Sequence, residues 1–289
     1  MRLSRPLFLY GGIAGVALGA AVARSAGLRL DLATYAWAQA LVTSFQLMVH
    51  YANDYFDRKG DAHGTTTAWS GGSGVLGSGA VQPGVALGAA LVCAVLGLGA
   101  TAHFLLTGNG AAAWLGAAVF VLAWSYSAPP ARLAARGLGE IDSVLVVAIL
   151  VPFIGYSAFA GRLSDAMTDV VTATAFAMFA MMLCVELPDA GADRAAGKRN
   201  LVVRWGPGRA WQLITIAALI AVGRATTLAY RVDGGPALFA LVPSAIAAVR
   251  LVLVVLRDPR PGTIALWGVM LYATVAGGLA VFYALIGVR

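Results

Sequence analysis

Charge is what this sequence has least of. Asp, Glu, Lys and Arg make up 11% of its 289 residues, against about 25% in a soluble globular domain. That scarcity excludes a fold solvated by water on all sides. Cysteine is nearly missing as well: Cys93 and Cys184 both lie in apolar runs, so neither a disulfide framework nor a CxxC metal site is available, and both read as packing residues. Of the three histidines, His50 and His103 are predicted near opposite membrane faces, which argues against a haem held between them. The 20 Lys and Arg give a net charge of +7 but are scattered through short loops. With no basic face interleaved with aromatics, nucleic acid is excluded as a partner, and an anionic substrate or anionic lipid headgroups account for the charge.

What the sequence has is hydrophobicity: 60% of residues, with a mean hydropathy of +0.81. Runs of spanning length fall at about 7 to 23, 32 to 52, 84 to 106, 111 to 126, 141 to 160, 168 to 187, 209 to 230, 236 to 256 and 263 to 287. These predict an all-α, polytopic membrane protein of nine transmembrane helices in one bundle, with residues 1–289 as a single domain. Arg2 and Arg5 before the first run, and Ala21-Val22-Ala23 near its end, resemble a signal peptide, but the run is long enough to span and reads as the first helix. Gly11, Gly12, Gly15 and Gly19 in that helix permit close backbone approach in lipid. When loops are assigned alternately to the two sides, Arg24, Arg29, Arg162, Arg224, Arg231 and Arg289 fall on one side and every other Lys and Arg on the other. The positive-inside rule then predicts an inner (plasma) membrane protein with a cytoplasmic N-terminus and an external C-terminus.

The second run leads directly into Asn53-Asp54-Tyr55-Phe56-Asp57-Arg58-Lys59-Gly60-Asp61. At helical spacing Asn53, Asp57 and Asp61 share one face, with Asp54 close beside them. Such hard oxygen donors suit Mg²⁺, which completes its shell with water and phosphate oxygens. Acids at the mouth of a membrane helix are costly unless something binds them, so a diphosphate substrate is implied. Arg58 and Lys59 either balance the acids or contact that diphosphate.

A second cluster closes the sixth helix. In Glu186-Leu187-Pro188-Asp189, running on to Asp193, the two aspartates are again four apart, and Pro188 predicts a bend with Asp189 opening a new turn. Arg194, Lys198 and Arg199 follow, suited to gripping phosphate oxygens. Both clusters lie at helix ends of the same predicted side, which suggests two related four-helix halves plus a ninth helix, with two acidic sites facing one cavity. A pair of divalent ions between them would neutralise a diphosphate leaving group. At the end of the fourth helix, Tyr126 and Arg132 fall on the same side. Tyr126 is either an interfacial anchor or a ring facing a carbocation or the diphosphate. His50, one turn before the first cluster, is either a packed polar residue or an acceptor-site base. Loops at about 58–83, with Ser70-Gly71-Gly72-Ser73-Gly74 at its centre, and at about 188–208 are expected to cap the site.

These residues resemble the UbiA-type intramembrane prenyltransferases. The match rests on Asn53-Asp54-Tyr55-Phe56-Asp57 with Asp61, on Asp189 and Asp193, on Tyr126-Ser127-Ala128-Pro129-Pro130-Ala131-Arg132 and on the helix count. The first motif together with Asp193 to Leu201 is similar to the branch that prenylates 1,4-dihydroxy-2-naphthoate for menaquinone. The resemblance implies a helical bundle around a central cavity, open to the cytoplasm and sideways to lipid. It implies Mg²⁺ held by Asn53, Asp57, Asp189 and Asp193, with Asp54 and Asp61 in support. Lys198 and Arg132 would take phosphate oxygens, and Tyr126 would stand near the reacting carbon. After Asp61 the chain lacks the basic run expected of a phosphoribosyl-transferring relative.

The expected reaction is transfer of a prenyl group from an allylic diphosphate to an aromatic acceptor, through Asp57, Asp189 and Tyr126, with no obligate protein partner. The alternatives are 4-hydroxybenzoate or homogentisate prenylation, a membrane terpene cyclase of the same fold, or, from another class, an ion-coupled transporter. Carrier sites usually lie near the midplane, and these acids sit at helix ends.

Overall fold

The computed structural model describes the backbone of residues 2–61 and 73–287 and the side chains of residues 3–58 and 73–287. The side chains of Lys59 and Asp61, and the glycine-serine loop up to Gly72, therefore lie outside the described residues. Nine long helical segments are present among those described, with no strand. They are α1 (Pro6–Ser25), α2 (Leu32–Asp61), α3 (Pro83–Leu106), α4 (Gly110–Ser127), and a fifth span, Gly139–Ala160. That span is built from α5 (Gly139–Ser143), a π-helical stretch (Val144–Leu150) and α6 (Val151–Ala160). Next comes α7 (Ala166–Glu186), then the short α8 (Ala190–Ala195) and α9 (Leu201–Trp205). The remaining long helices are α10 (Pro207–Val232), α11 (Val242–Arg257, entered through a 3₁₀ stretch, Pro236–Leu241) and α12 (Pro261–Ile286).

Proline at the first turn opens α1, α3, α10 and α12, where its missing N–H costs nothing. Eight of the nine segments are long and apolar enough to cross a membrane. The ninth is α2, whose interior carries Gln39 and Gln46. These are paired within the bundle: Gln39 donates to Thr43 Oγ1 at 2.8 Å and Gln46 to the Phe8 carbonyl at 2.7 Å. Outward faces are apolar, with Val92, Val95, Leu96, Leu106, Trp114 and Leu256 exposed, as lipid contact requires and water does not tolerate over such an area.

The helices pack as two apolar clusters. One joins α1, α7 and α10 to α12 around Leu18, Leu183, Ile214, Leu251 and Phe282. The other joins α2, α3, α4 and α6 around Leu41, Phe45, Met48, Phe104 and Ile154. The two are joined where α1 lies against α6 with backbones touching. A Cβ on Gly19 would stand 2.1 Å from the Pro152 carbonyl oxygen, and one on Gly155 would stand 2.4 Å from that of Val16. Lipid supplies no hydrophobic force between helices, so such close approach through small residues holds them.

At one end of the bundle the N-terminus of α1, the C-termini of α2, α4 and α7 and the start of α5 come together. The acidic motifs end the second and sixth spans, as equivalent positions of two four-span halves do.

Candidate active site

The first acidic motif stays helical, because α2 runs on through it to Asp61. Its two faces do different things. Asn53 and Asp57 point inward: Asn53 Nδ2 donates to Asp57 Oδ2 at 3.0 Å and to Ser127 Oγ, at the end of α4, at 2.9 Å. Asp54 faces the N-terminal segment, where Arg5 Nη2 meets its Oδ1 at 2.6 Å and the Ser73 backbone N–H donates to the same oxygen at 3.2 Å. Asp54 is 3% exposed, and its Oδ2 has no hydrogen-bond partner among the described residues. Ser4 strengthens this edge through its hydroxyl to Tyr51 and its carbonyl to His50 Nδ1. His50 thus has a partner that sequence reading could not see.

The second motif sits on a bend. With Pro188 unable to continue α7, the helix stops at Glu186 and Asp189 becomes the N-cap of α8, one turn from Asp193. Lys198 then closes the gap between the motifs. Its ammonium lies 3.5 Å from Asp57 Oδ2 and 3.2 Å from Asp193 Oδ1, while Asn200 donates to Asp193 Oδ2 at 2.8 Å. Asn200 also caps α9 by accepting from Val203 N–H at 2.9 Å. Two acidic segments far apart in sequence are therefore brought together at Lys198.

What docks the second segment is a pair of contacts absent from the motifs themselves. Glu140, fully buried at the start of α5, accepts from the Leu201 N–H. Arg199 N–H donates to the Ala135 carbonyl at 3.2 Å, and the Arg199 carbonyl passes so close to Gly137 (φ +80°) that a Cβ there would stand 2.2 Å from it. Glycine is required at that position both for its conformation and for the approach.

The predicted basic residues divide. Arg58 and Arg132 line a polar cleft of roughly 460 Å³ with Asp57, Phe56 and Lys198. Arg58 also stacks over the Tyr55 ring at 4.5 Å. Arg194 is exposed and donates to the Val203 carbonyl at 3.1 Å, tying α8 to α9. Among the described residues only Arg5 (φ +43°) and Arg132 (φ +46°) hold positive φ without being glycine. Each costs on the order of 1–2 kcal/mol, and strain of that kind concentrates at functional sites.

Below the cleft lies an apolar chamber of roughly 220 Å³ lined by Val146, Val147, Met178, Met181 and Val269. Its polar lining includes Arg5, His50, Asn53, Tyr126, Asp142 and Tyr272. Asn53 lines the chamber and its partner Asp57 lines the cleft, so the two spaces meet at the acidic end of α2. Among the described residues no three His, Cys, Asp or Glu side chains form a ready-made metal cage. The donor set nevertheless suits Mg²⁺, an ion held by one or two carboxylates and completed by phosphate oxygens. Sequence reading missed Arg5, Ser127, Glu140, Asp142 and Asn200. For Glu140 and Asp142 the signal was there, because acids in the first turns of an apolar span are functional by default.

The sequence profile of the UbiA prenyltransferase family matches residues 13–275. The chain belongs to that family. Solved UbiA structures share its fold. A UbiA homologue from Aeropyrum pernix K1 superposes with a TM-score of 0.75 at 17% identity, over 96% of this chain and 97% of the other. A homologue from Archaeoglobus fulgidus, solved bound to GPP and Mg²⁺, gives 0.68 at 18% identity over 97% and 98%. A digeranylgeranylglyceryl phosphate synthase gives 0.60 at 16% over 94% and 92%. No curated protein sequence matches the chain. In this UbiA-family chain the acidic motifs, the cleft and the chamber thus occupy a fold shared end to end with prenyltransferase relatives.

Proposed function

We propose that the protein transfers a prenyl group from an allylic prenyl diphosphate to a hydroxylated aromatic acceptor, a quinone precursor such as 1,4-dihydroxy-2-naphthoate, in a Mg²⁺-dependent reaction. The observation that carries this reading is the meeting of a polar cleft, crossed by Lys198 between Asp57 and Asp193, with an apolar chamber at Asn53. A prenyl diphosphate has the same two-part character, an anionic head on an isoprenoid tail. The A. fulgidus homologue supports the assignment, having been solved with GPP and with DMAPP, each with Mg²⁺.

Asn53, Asp57, Asp189 and Asp193 would hold Mg²⁺, with Asp54 and Asp61 beside them. Bound there, Mg²⁺ would supply the Lewis acidity that neutralises a departing diphosphate. Lys198, Arg132, Arg58 and Lys59 would take the remaining phosphate oxygens, and Arg194 would support them by fixing α8 on α9. The chamber keeps water from the allylic cation, and the Tyr126 ring in its wall offers a π face to that charge. The chain would act as one unit across residues 1–289, in the plasma membrane, with the acidic end cytoplasmic, the C-terminus outside and the stretches 58–83 and 188–208 over the site.

The test is product mass. Detergent-purified protein with Mg²⁺ and geranylgeranyl diphosphate is given dihydroxynaphthoate, 4-hydroxybenzoate or homogentisate, and pyrophosphate release is read from the same tubes. Release dependent on one acceptor, with a product whose mass is the acceptor's plus one prenyl group, with or without loss of the acceptor's carboxyl as CO₂, is expected. Release that ignores every acceptor would indicate a cyclase instead, and no release by folded protein would refute the reading.

A further inference from the structure

We infer that Asp142 is the group that takes the proton lost from the aromatic ring, an inference that rests on the prenyl-transfer reading above. Asp142 stands in the chamber wall and is 6% exposed. Its Oδ1 is buried with no hydrogen-bond partner among the described residues. A buried carboxylate oxygen without a partner in a largely apolar wall is costly unless a ligand or a reaction uses it. Asp54, Glu140 and Glu186 also carry one buried oxygen without a partner among the described residues, but Asp54 is paired with Arg5 and Glu140 with the Leu201 N–H, and of the described acids Asp142 alone lines the chamber. The backbone next to Asp142 is also unusual. The π-helical stretch begins two residues on, at Val144, and its Val146 and Val147 line the same chamber. Such π-helical insertions are frequent at functional sites.

The position suits the chemistry. Tyr126 and Asn53, which border the diphosphate end, share the chamber with Asp142, so a ring held there lies between the forming cation and the carboxylate. The allylic C–O bond breaks and its electron pair leaves with the diphosphate. A ring π pair forms the new C–C bond, giving a cationic arenium. The C–H bond at that carbon then breaks, its pair restores the aromatic ring, and the proton passes to an Asp142 carboxylate oxygen. A carboxylate facing a developing cation favours both the charge and the transfer. The competing base in the same wall is His50. Its Nδ1 must carry hydrogen toward the Ser4 carbonyl, which leaves Nε2 as acceptor.

The experiment uses the full-length protein and an acceptor deuterated at the reacting carbon. Asp142→Asn, which keeps shape but cannot act as this base, should still bind prenyl diphosphate. Its rate of product formation should fall by roughly 10²–10⁴-fold, with a primary isotope effect that the wild type lacks. His50→Gln should show no such effect. Wild-type product rate without an isotope effect in Asp142→Asn would overturn the inference, as would the isotope effect appearing in His50→Gln alone. Should Asp142→Asn fail to fold, Asp142→Glu is compared with Asp142→Ser: faster product from Glu supports the inference and equal rates overturn it. A wild type that makes no aromatic product would overturn the parent reading, a result distinct from a productive wild type with an unaffected variant.

Discussion

At the scale of residues, Lys198 joins the site. Among the described residues it is the one cation in ion-pair contact with both acidic motifs, so removing it takes away the charge that Asp57 and Asp193 share. Lys198→Met should lower kcat for diphosphate cleavage by roughly 10²–10³-fold, the usual cost of losing one donor to developing negative charge, in a pyrophosphate-release assay. An unchanged kcat would remove Lys198 from the site. That Asn53, Asp57, Asp193 and Lys198 come together was foreshadowed in the sequence by acids at four-residue spacing on two helix ends of the same predicted side. Arg5 was not legible, since it stands 49 positions before Asp54 and reaches it only because α1 and α2 meet at this end. The partner of Asp54 was hidden for the same reason: helical spacing gives angles around an axis but not what each angle faces.

At the scale of elements, boundaries followed from prolines and apolar run lengths, and the nine predicted spans match the observed helices to within a few residues at most ends. The exception is α2, which extends through the acidic motif to Asp61 where the apolar run alone stops near Ala52. The π-helical stretch and the α1–α6 contact were not legible, because hydropathy records composition and not backbone register or interhelical distance. Gly155→Ala tests the contact. The added Cβ meets the Val16 carbonyl oxygen, and overpacking of this kind costs about 1–3 kcal/mol, so the thermal midpoint in detergent should fall. Docking of the second motif is tested through Glu140→Ala, which strands the buried Leu201 N–H at a cost of about 1–3 kcal/mol. Limited proteolysis should then cut within 188–206 faster than in the wild type, and equal cleavage would contradict the docking role.

At the scale of the whole molecule, the bundle places both acidic motifs at one end and leaves Arg231, exposed in the last turn of α10, at the other. If the charge asymmetry sets topology, a cysteine at position 231 in a background without Cys93 and Cys184 should react with a membrane-impermeant maleimide in intact cells. One at Arg260 should react only after permeabilisation. The opposite pattern would reverse the proposed orientation. The central claim is that two acidic motifs and Lys198 form a single diphosphate site, and calorimetric titration of a non-cleavable prenyl thiolodiphosphate with Mg²⁺ tests it most directly. One equivalent should bind the wild type, and Asp57→Asn and Asp193→Asn should each weaken that same event severely, as should chelation of the metal. If either variant bound the analogue as tightly as the wild type, the two motifs would not share a site.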